Sequence, residues 1–519
     1  MYDTTLRDGA QSEGIAFSVE DKLEILDALD GFGVGFVEGG WPGSNPKDDE
    51  FFEKAGERKL KNTELTAFGS TCRHSIDAAD DANLKALAAC SAEWCCIFGK
   101  TWDFQVEVAL RIPLEENLRM IEDSVRFLRE SGKRVMFDAE HFFDGYKSSR
   151  EYALEALGAA VKGGAEWLVL CDTNGGSIPA EVKLATEDVK KTFGDVKVGI
   201  HCHNDSELAV ANSLAAVEGG AEMVQGTING IGERCGNANL CSVMANLSLK
   251  MGCEICAKDL TGLTELSRFV GEVCNCSPSP GLPYVGEKAF AHKGGMHVSA
   301  MAKDSRTYEH ITPDTVGNKR RILISDMSGK ASIDSKMREF GIDLSDTESR
   351  EVLNRIKSLE AMGYEFEGAD ASFELLVRRL KDEWEPPFKV IGFRLFMDDV
   401  GDSTMISEAS VKVEDSQGNV EHTAADGHGP VNALDNALRK ALSRFFPIME
   451  DIRLTDYKVR VLDEKSATAA SVRVLIRSTD GKNSWTTVGV SENVIEASMH
   501  ALVDSIEYAM LKAGDKPKK

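Results

Sequence analysis

From Tyr2 to about Cys253, short apolar runs alternate with amphipathic helical stretches at a spacing of roughly 25 to 35 residues. The runs are Tyr2–Leu6, Val34–Glu38, Leu65–Phe68, Trp94–Phe98, Arg134–Phe137, Trp167–Cys171, Val196–Ile200 and Met223–Thr227, eight in all. Each is followed by a loop bearing Gly or Asp and then by a helix. Ser18 predicts an N-cap for a helix over Val19–Phe32. Pro113 opens a second over Leu114–Glu130, where Leu118, Ile121, Val125 and Leu128 keep helical spacing and Gly132 can end it. Pro179 opens a third, before Gly194. Eight strand–helix units in one segment predict a closed (β/α)8 barrel of the TIM type over residues 1–253.

The pattern then changes. Residues 254–385 carry helical periodicity, as in Arg350–Met362 and Phe373–Glu383, between the Pro-rich stretches Ser277–Gly281 and Glu385–Pro387. They read as a helical linker or accessory segment. Residues 386–519 return to strand patterns, Phe388–Met397, Ile406–Val413, Lys458–Leu462 and Ser471–Ile476, interleaved with helices Pro430–Phe446 and Glu492–Leu511. The order predicts a duplicated βββα unit, α+β in class. It has no cluster of catalytic residue types, so dimerisation and small-molecule regulation both remain open for it.

Charge narrows the partners. The formal net charge is −25, a field that opposes nucleic acid and anionic lipid. No apolar run reaches the length of a membrane span, and no basic-then-apolar leader opens the chain. The 12 cysteines lie mostly inside apolar patterns, which predicts reduced thiols and a cytoplasmic location.

In such a barrel the chemistry sits where strands end. Unit one ends in Arg7-Asp8-Gly9: an Arg fork suits a carboxylate or oxyanion, and an Asp suits a hard cation. Unit seven ends in His201-Cys-His203-Asn204-Asp205. Histidines at i and i+2 of a strand share a face, the spacing of two nitrogen ligands on one ion. Unit eight ends in Gly-Glu-Arg-Cys-Gly-Asn237, which offers an amide oxygen. Asp8, His201, His203 and Asn237 together predict a mixed N/O site for Mg, Mn, Zn or Co. Unit five places Glu140 on the same side as Asp138, and Phe142, Phe143 and Tyr146 are expected to narrow a substrate pocket. In unit six, Thr173 can donate to a carboxylate and Asp172 can orient a ligand. The linker motif Ala291–His297, with Tyr308 beyond it, reads as a loop able to swing over an active site.

DTTLRDG, HCHND and GERCGN, in that order, together with HKGGMH, resemble the metal-dependent Claisen-condensing acyltransferases, the family of the 2-isopropylmalate, homocitrate and citramalate synthases. The resemblance spans essentially the whole chain. EGGWPGSNPKD, DAEHFFDGYK and the RTYEH segment are most similar to its long citramalate-forming branch. It implies acetyl-CoA and pyruvate as substrates, a divalent metal on Asp8, His201 and His203 with Asn237 as a looser ligand, and Arg7 facing the developing alkoxide. It further implies Thr173 on the substrate carboxylate, Glu140 in the catalytic hydrogen-bond network, and His297 with Tyr308 assisting enolisation. The tail resembles an allosteric dimerisation domain, implying a homodimer and isoleucine as effector. Sister 2-oxo acids and a metal-dependent acyl-CoA lyase or aldolase remain alternatives. Two departures from the family stand out: the sequence begins only two residues before Asp3, so the first strand reads as cut short, and Ser206 follows HCHND where a Gly-like residue is usual.

Overall fold

The computed structural model describes residues 1–257, 259–325, 327–399, 405–462 and 470–514. Eight parallel strands close into a barrel in sequence order: β1 (Tyr2–Asp3), β2 (Phe36–Gly40), β3 (Glu64–Ser70), β4 (Trp94–Lys100), β5 (Arg134–Glu140), β6 (Trp167–Asp172), β7 (Lys197–Cys202) and β8 (Met223–Gly226). All eight overlap the apolar runs of the sequence. Although short, β1 pairs on both sides, Tyr2 with Phe36 and with Gln225, so the ring closes.

The helices form for the local reasons the sequence predicts. Ser18 caps Val19–Phe32, accepting from the Asp21 amide while the Asp21 carboxylate accepts from the Ser18 amide, and Gly33 ends the helix left-handed. Pro113 precedes Leu114–Glu130, and Pro179 begins the helix that runs to Phe193. Their apolar faces seal a core between barrel and helices that includes Leu26, Phe51, Ile121, Leu157 and Val182. A separate cluster fills the barrel interior, with Tyr2, Trp94, Cys96, Met136, Trp167 and Val169.

The chain divides into two compact units. The first is Met1–Phe290 with Ile311–Lys319, and the second is Ala291–His310 with Arg320–Lys519. The first therefore runs past residue 253. Helix Leu263–Val273 packs on Val19–Phe32, and Ser267 and Asn229 exchange hydrogen bonds.

The second unit begins with β9 (Ala291–His292), which pairs with β10 (Arg321–Ile322), followed by helices Lys330–Glu339, Asp346–Ala361 and Asp370–Leu380. Two antiparallel three-stranded sheets come next. One is β11 (Phe388–Asp399), β12 (Met405–Asp415) and β13 (Val420–Gly427), with helix Pro430–Leu442. The other is β14 (Arg453–Val461), β15 (Val472–Thr479) and β16 (Ser484–Ser491), with helix Val494–Ala513. This is the duplicated βββα arrangement. The third strand of each repeat, β13 and β16, has no counterpart among the runs picked from the sequence. β13 alternates exposed and half-buried positions without one fully buried residue, so it carries little hydrophobic signal.

Candidate active site

The C-terminal ends of β1, β7 and β8 assemble the site. After Asp3 the chain turns tightly. Thr5 donates both its amide and its hydroxyl to the Asp3 carboxylate, and the Thr4 carbonyl accepts from the Arg7 and Gly9 amides. That turn delivers Arg7 and Asp8 to the barrel mouth. His201 and Cys202 continue β7, and a bridge sets His203 against Asn237. The bridge needs the last Gly of GERCGN: Gly236 sits at φ +87°, where a Cβ would lie 2.0 Å from the Gly230 carbonyl oxygen.

Asp8, His201 and His203 converge as the sequence predicts. His201 Nε2 lies 3.4 Å from Asp8 Oδ2 and 3.4 Å from His203 Nε2, and all three side chains are buried. Ligands about 2.1 Å from one octahedral ion stand about 3 Å apart, close to this spacing. The polar atoms also fit a cation. Asp8 Oδ1 and Asn237 Oδ1 are buried without a hydrogen-bond partner, a costly arrangement for neutral surroundings and a natural one for a metal. Electrostatics agree. Burial opposes the Asp8 charge, but Arg7 and the two imidazoles hold its carboxyl well below the usual range. Burial and the neighbouring His201 push His203 down to about 4, keeping it the neutral imidazole a metal requires. Burial likewise opposes a charged His201, yet the Asp8 carboxylate raises it above the ordinary value.

Two residues that carried no signal of their own complete this floor. Glu38, on β2, is wholly buried and accepts from Tyr2 Oη (2.6 Å), Thr4 Oγ1 (2.5 Å) and Arg7 Nε (2.5 Å). Arg7 also reaches Asp8 (3.2 Å) and lies 3.7 Å over the ring of Phe68. Gln225, on β8, accepts from His201 Nδ1 (2.9 Å) and donates to Asp138 (3.2 Å). Burial, with the charge of Glu38, raises Asp138 to about 6. In the sequence Glu38 stands only as the end of one apolar run and Gln225 as a member of another. What marks them is two-sided burial of a polar side chain in a parallel strand.

Glu140 stands at the end of β5 in register with Lys100 on β4, and the two form an ion pair. Thr101 donates its amide (3.2 Å) and hydroxyl (2.8 Å) to the Glu140 carbonyl. Thr173 is half-buried; its hydroxyl oxygen accepts from the His141 amide, leaving its own proton to donate. Arg234, in the last loop, binds Asp205 through Nε (2.8 Å) and Nη2 (2.9 Å), and the Thr173 carbonyl through Nη2 (2.8 Å). A cavity of about 470 Å³ opens beside Lys100, lined among others by Cys72, Phe98, Ile112 and Met120.

Three expectations change. Phe142 and Phe143 are buried in the core between barrel and helices, and Tyr146 donates to Asp188, so none of them narrows a pocket. An aromatic cluster of Trp41, Phe68 and Phe98 stands beside Arg7 instead. Asp172 is clasped by Ser177 and Asn212 rather than free to orient a ligand. The HKGGMH segment is ordered secondary structure, β9 followed by helix Gly295–Met301, not a free loop. His297 and Tyr308 belong to the second unit, where their rings stack at 4.1 Å and Tyr308 is exposed. Nearby, Glu309 is buried against Arg320 and lies 3.4 Å from His292.

Comparison with known proteins places this geometry. The HMGL-like family model matches residues 1–270, the homocitrate synthase post-HMGL domain-like model residues 284–363, and the LeuA allosteric (dimerisation) domain model residues 367–510. The (R)-citramalate synthase of Aquifex aeolicus is 52% identical over 516 residues, covering 99% of this chain and 98% of that protein. The (R)-citramalate synthase of Geobacter sulfurreducens is also 52% identical, over 517 residues, with the same coverages. Among solved structures, an HMG-CoA lyase of Bacillus subtilis aligns with 54% of this chain and 96% of its own, at 19% identity and a TM-score of 0.46. With barrel, linker and tail all matched and near-full-length relatives at this identity, the chain belongs to the (R)-citramalate synthase family.

Proposed function

We propose that this protein is a citramalate synthase. It condenses acetyl-CoA with pyruvate and water to give (R)-citramalate and CoA, the first step of the pyruvate route to isoleucine. The observation that carries this reading is the convergence of Asp8, His201 and His203 beside Arg7, in a chain similar over its length to several citramalate synthases. In this proposal Asp8, His201 and His203 hold a divalent cation, with Asn237 as a further oxygen donor. When bound, Mg, Mn, Zn or Co supplies Lewis-acid polarisation of the keto carbonyl. Arg7, fixed by Glu38, donates to the oxygen on which negative charge develops. Thr173 donates to the pyruvate carboxylate. Glu140, paired with Lys100, belongs to the hydrogen-bond network around the reacting carbons, and His297 with Tyr308 serves removal of the acetyl methyl proton. The mostly apolar cavity beside Lys100 suits the arm of the acyl-CoA.

The match to an allosteric (dimerisation) domain supports a homodimer with a regulatory tail. Isoleucine, the end product of the proposed route, is the effector this reading assigns to it. Twelve free cysteines, most of them buried, support the reducing cytoplasm as its location. No helix of the described residues is long and apolar enough to cross a membrane. The deciding experiment is thiol release from acetyl-CoA, with Mg or Mn, against pyruvate, 2-oxoisovalerate, 2-oxoglutarate and oxaloacetate in parallel, with and without isoleucine. A clear pyruvate preference upholds the proposal. Preference for another acid reassigns the substrate, and silence on all four sinks the condensing reaction.

A further inference from the structure

In the parallel ladder between β7 and β8, His201 is the register partner of Gln225. Neighbours in register project to the same face, so the amide of Gln225 lies beside the imidazole inside the closed barrel. Gln225 is wholly buried, and both ends of its amide are engaged. Oε1 stands 2.9 Å from His201 Nδ1, and Nε2 stands 3.2 Å from Asp138 Oδ1. The Cys96 thiol, 3.0 Å away, donates to that same carboxylate oxygen. An acid oxygen accepts, so the amide NH2 must face Asp138 and the carbonyl must face His201. Turning the amide over would set oxygen against oxygen on one side. With an acceptor at Nδ1, the neutral imidazole carries its proton there and leaves Nε2 as the lone pair. Nε2 is the atom that faces Asp8 and His203. The other imidazole has no such support: His203 Nδ1 is buried without a partner.

We infer that Gln225 is a positioning residue for the cation site, selecting the Nε2-ligating tautomer of His201 and holding its ring, with Asp138 and Cys96 fixing the amide in turn. The inference rests on the metal-site reading above and extends it to a residue two positions before the last barrel loop. An outer partner of a ligating histidine is worth about 10- to 100-fold in metal affinity.

The test is titration calorimetry of Mn2+ into the metal-stripped full chain, for wild type, Gln225→Met and Gln225→Glu. Gln225→Met keeps length and burial but offers no strong acceptor, and is expected to weaken binding about 10- to 100-fold. Gln225→Glu restores an acceptor for the Nδ1 proton and is expected to bind more tightly than Gln225→Met, an order that a merely space-filling role would not produce. Equal affinity in wild type and Gln225→Met overturns the inference and leaves the metal site standing. Absence of Mn2+ binding by wild type removes the metal-site reading, and the inference with it. Should Gln225→Met not fold, long-range 1H–15N spectra of 15N-histidine-labelled, Zn2+-loaded wild type decide, with His201→Gln assigning the signal. A protonated Nδ1 on His201 upholds the inference, and a bare Nδ1 overturns it.

Discussion

Arg7 is gripped from within the barrel by Glu38: its Nε lies 2.5 Å from Oε2 of a carboxylate that solvent does not reach. Tyr2 and Thr4 donate to the same carboxylate, so four residues share one buried charge. Glu38→Ala strands the Arg7 guanidinium and two hydroxyls. Stability is expected to fall by about 3–5 kcal/mol, the usual consequence of breaking a buried pair by removing one partner. Thiol release is expected to drop about 100-fold, because Arg7 loses its aim. Glu38→Gln keeps the shape and one acceptor and should lose less of both. Urea unfolding beside a steady-state assay checks the pair of effects.

The proposed cation ligands give a sharper outcome. Asp8→Ala and His201→Ala are each expected to cut thiol release about 100- to 1,000-fold. Chelator treatment should silence the wild-type enzyme, and added Mn2+ should restore it while leaving both variants inactive. Full activity in either variant would refute the ligand assignment.

Asp3 makes stability depend on pH. Burial raises its carboxyl to about 7, against the hydrogen bonds from Thr5. In the unfolded chain an aspartate titrates near about 3.9. The folded value is the higher, so the contribution is fully present below about pH 4 and is lost as pH rises through about 7. Asp3→Asn removes this titration. The stability of wild type relative to Asp3→Asn is therefore expected to decline between about pH 4 and 7 and to level off above, a trend that melting curves across that window would reveal.

Lys100 and Glu140 form an ion pair on adjacent strand ends, and the proposed function makes them act together. Lys100→Met and Glu140→Gln are each expected to reduce kcat at least about tenfold. Together they should cost much less than the sum, with a coupling of about 1 kcal/mol or more. Additive losses in a double-mutant cycle would show that the two act separately.

Much of this was readable from residue order alone. The eight-unit period survives in the sequence because each strand is buried on both faces and each helix on one, so hydrophobic runs mark them directly. The pair at His201 and His203 was legible because a two-residue spacing on a strand has one geometric meaning. What stayed hidden depends on register. Gln225 stands next to His201 only because β7 and β8 pair at that offset, and Glu38 meets Arg7 only because β1 lies beside β2. Phe142 and Phe143 misled for the opposite reason. Aromatic residues after a strand-end carboxylate look like a pocket wall, but a helix turns them into the core. The third strand of the first C-terminal repeat was invisible because its side chains bury too little to pattern the sequence.

The Arg234 staple has a consequence for how such a barrel can change. Side-by-side units of this fold are usually regarded as separable, each contributing a loop that can be lengthened or exchanged by itself. Here one guanidinium from the eighth loop clasps Asp205 of the seventh and the backbone of Thr173 in the sixth. Three loops are thereby yoked into a single cassette. A graft that brings in the sixth loop of another barrel keeps the Arg234–Asp205 clasp, but it must also return a backbone carbonyl to the place of Thr173 for the third bond of the guanidinium to form, so the path of the sixth loop is tied to the seventh and eighth.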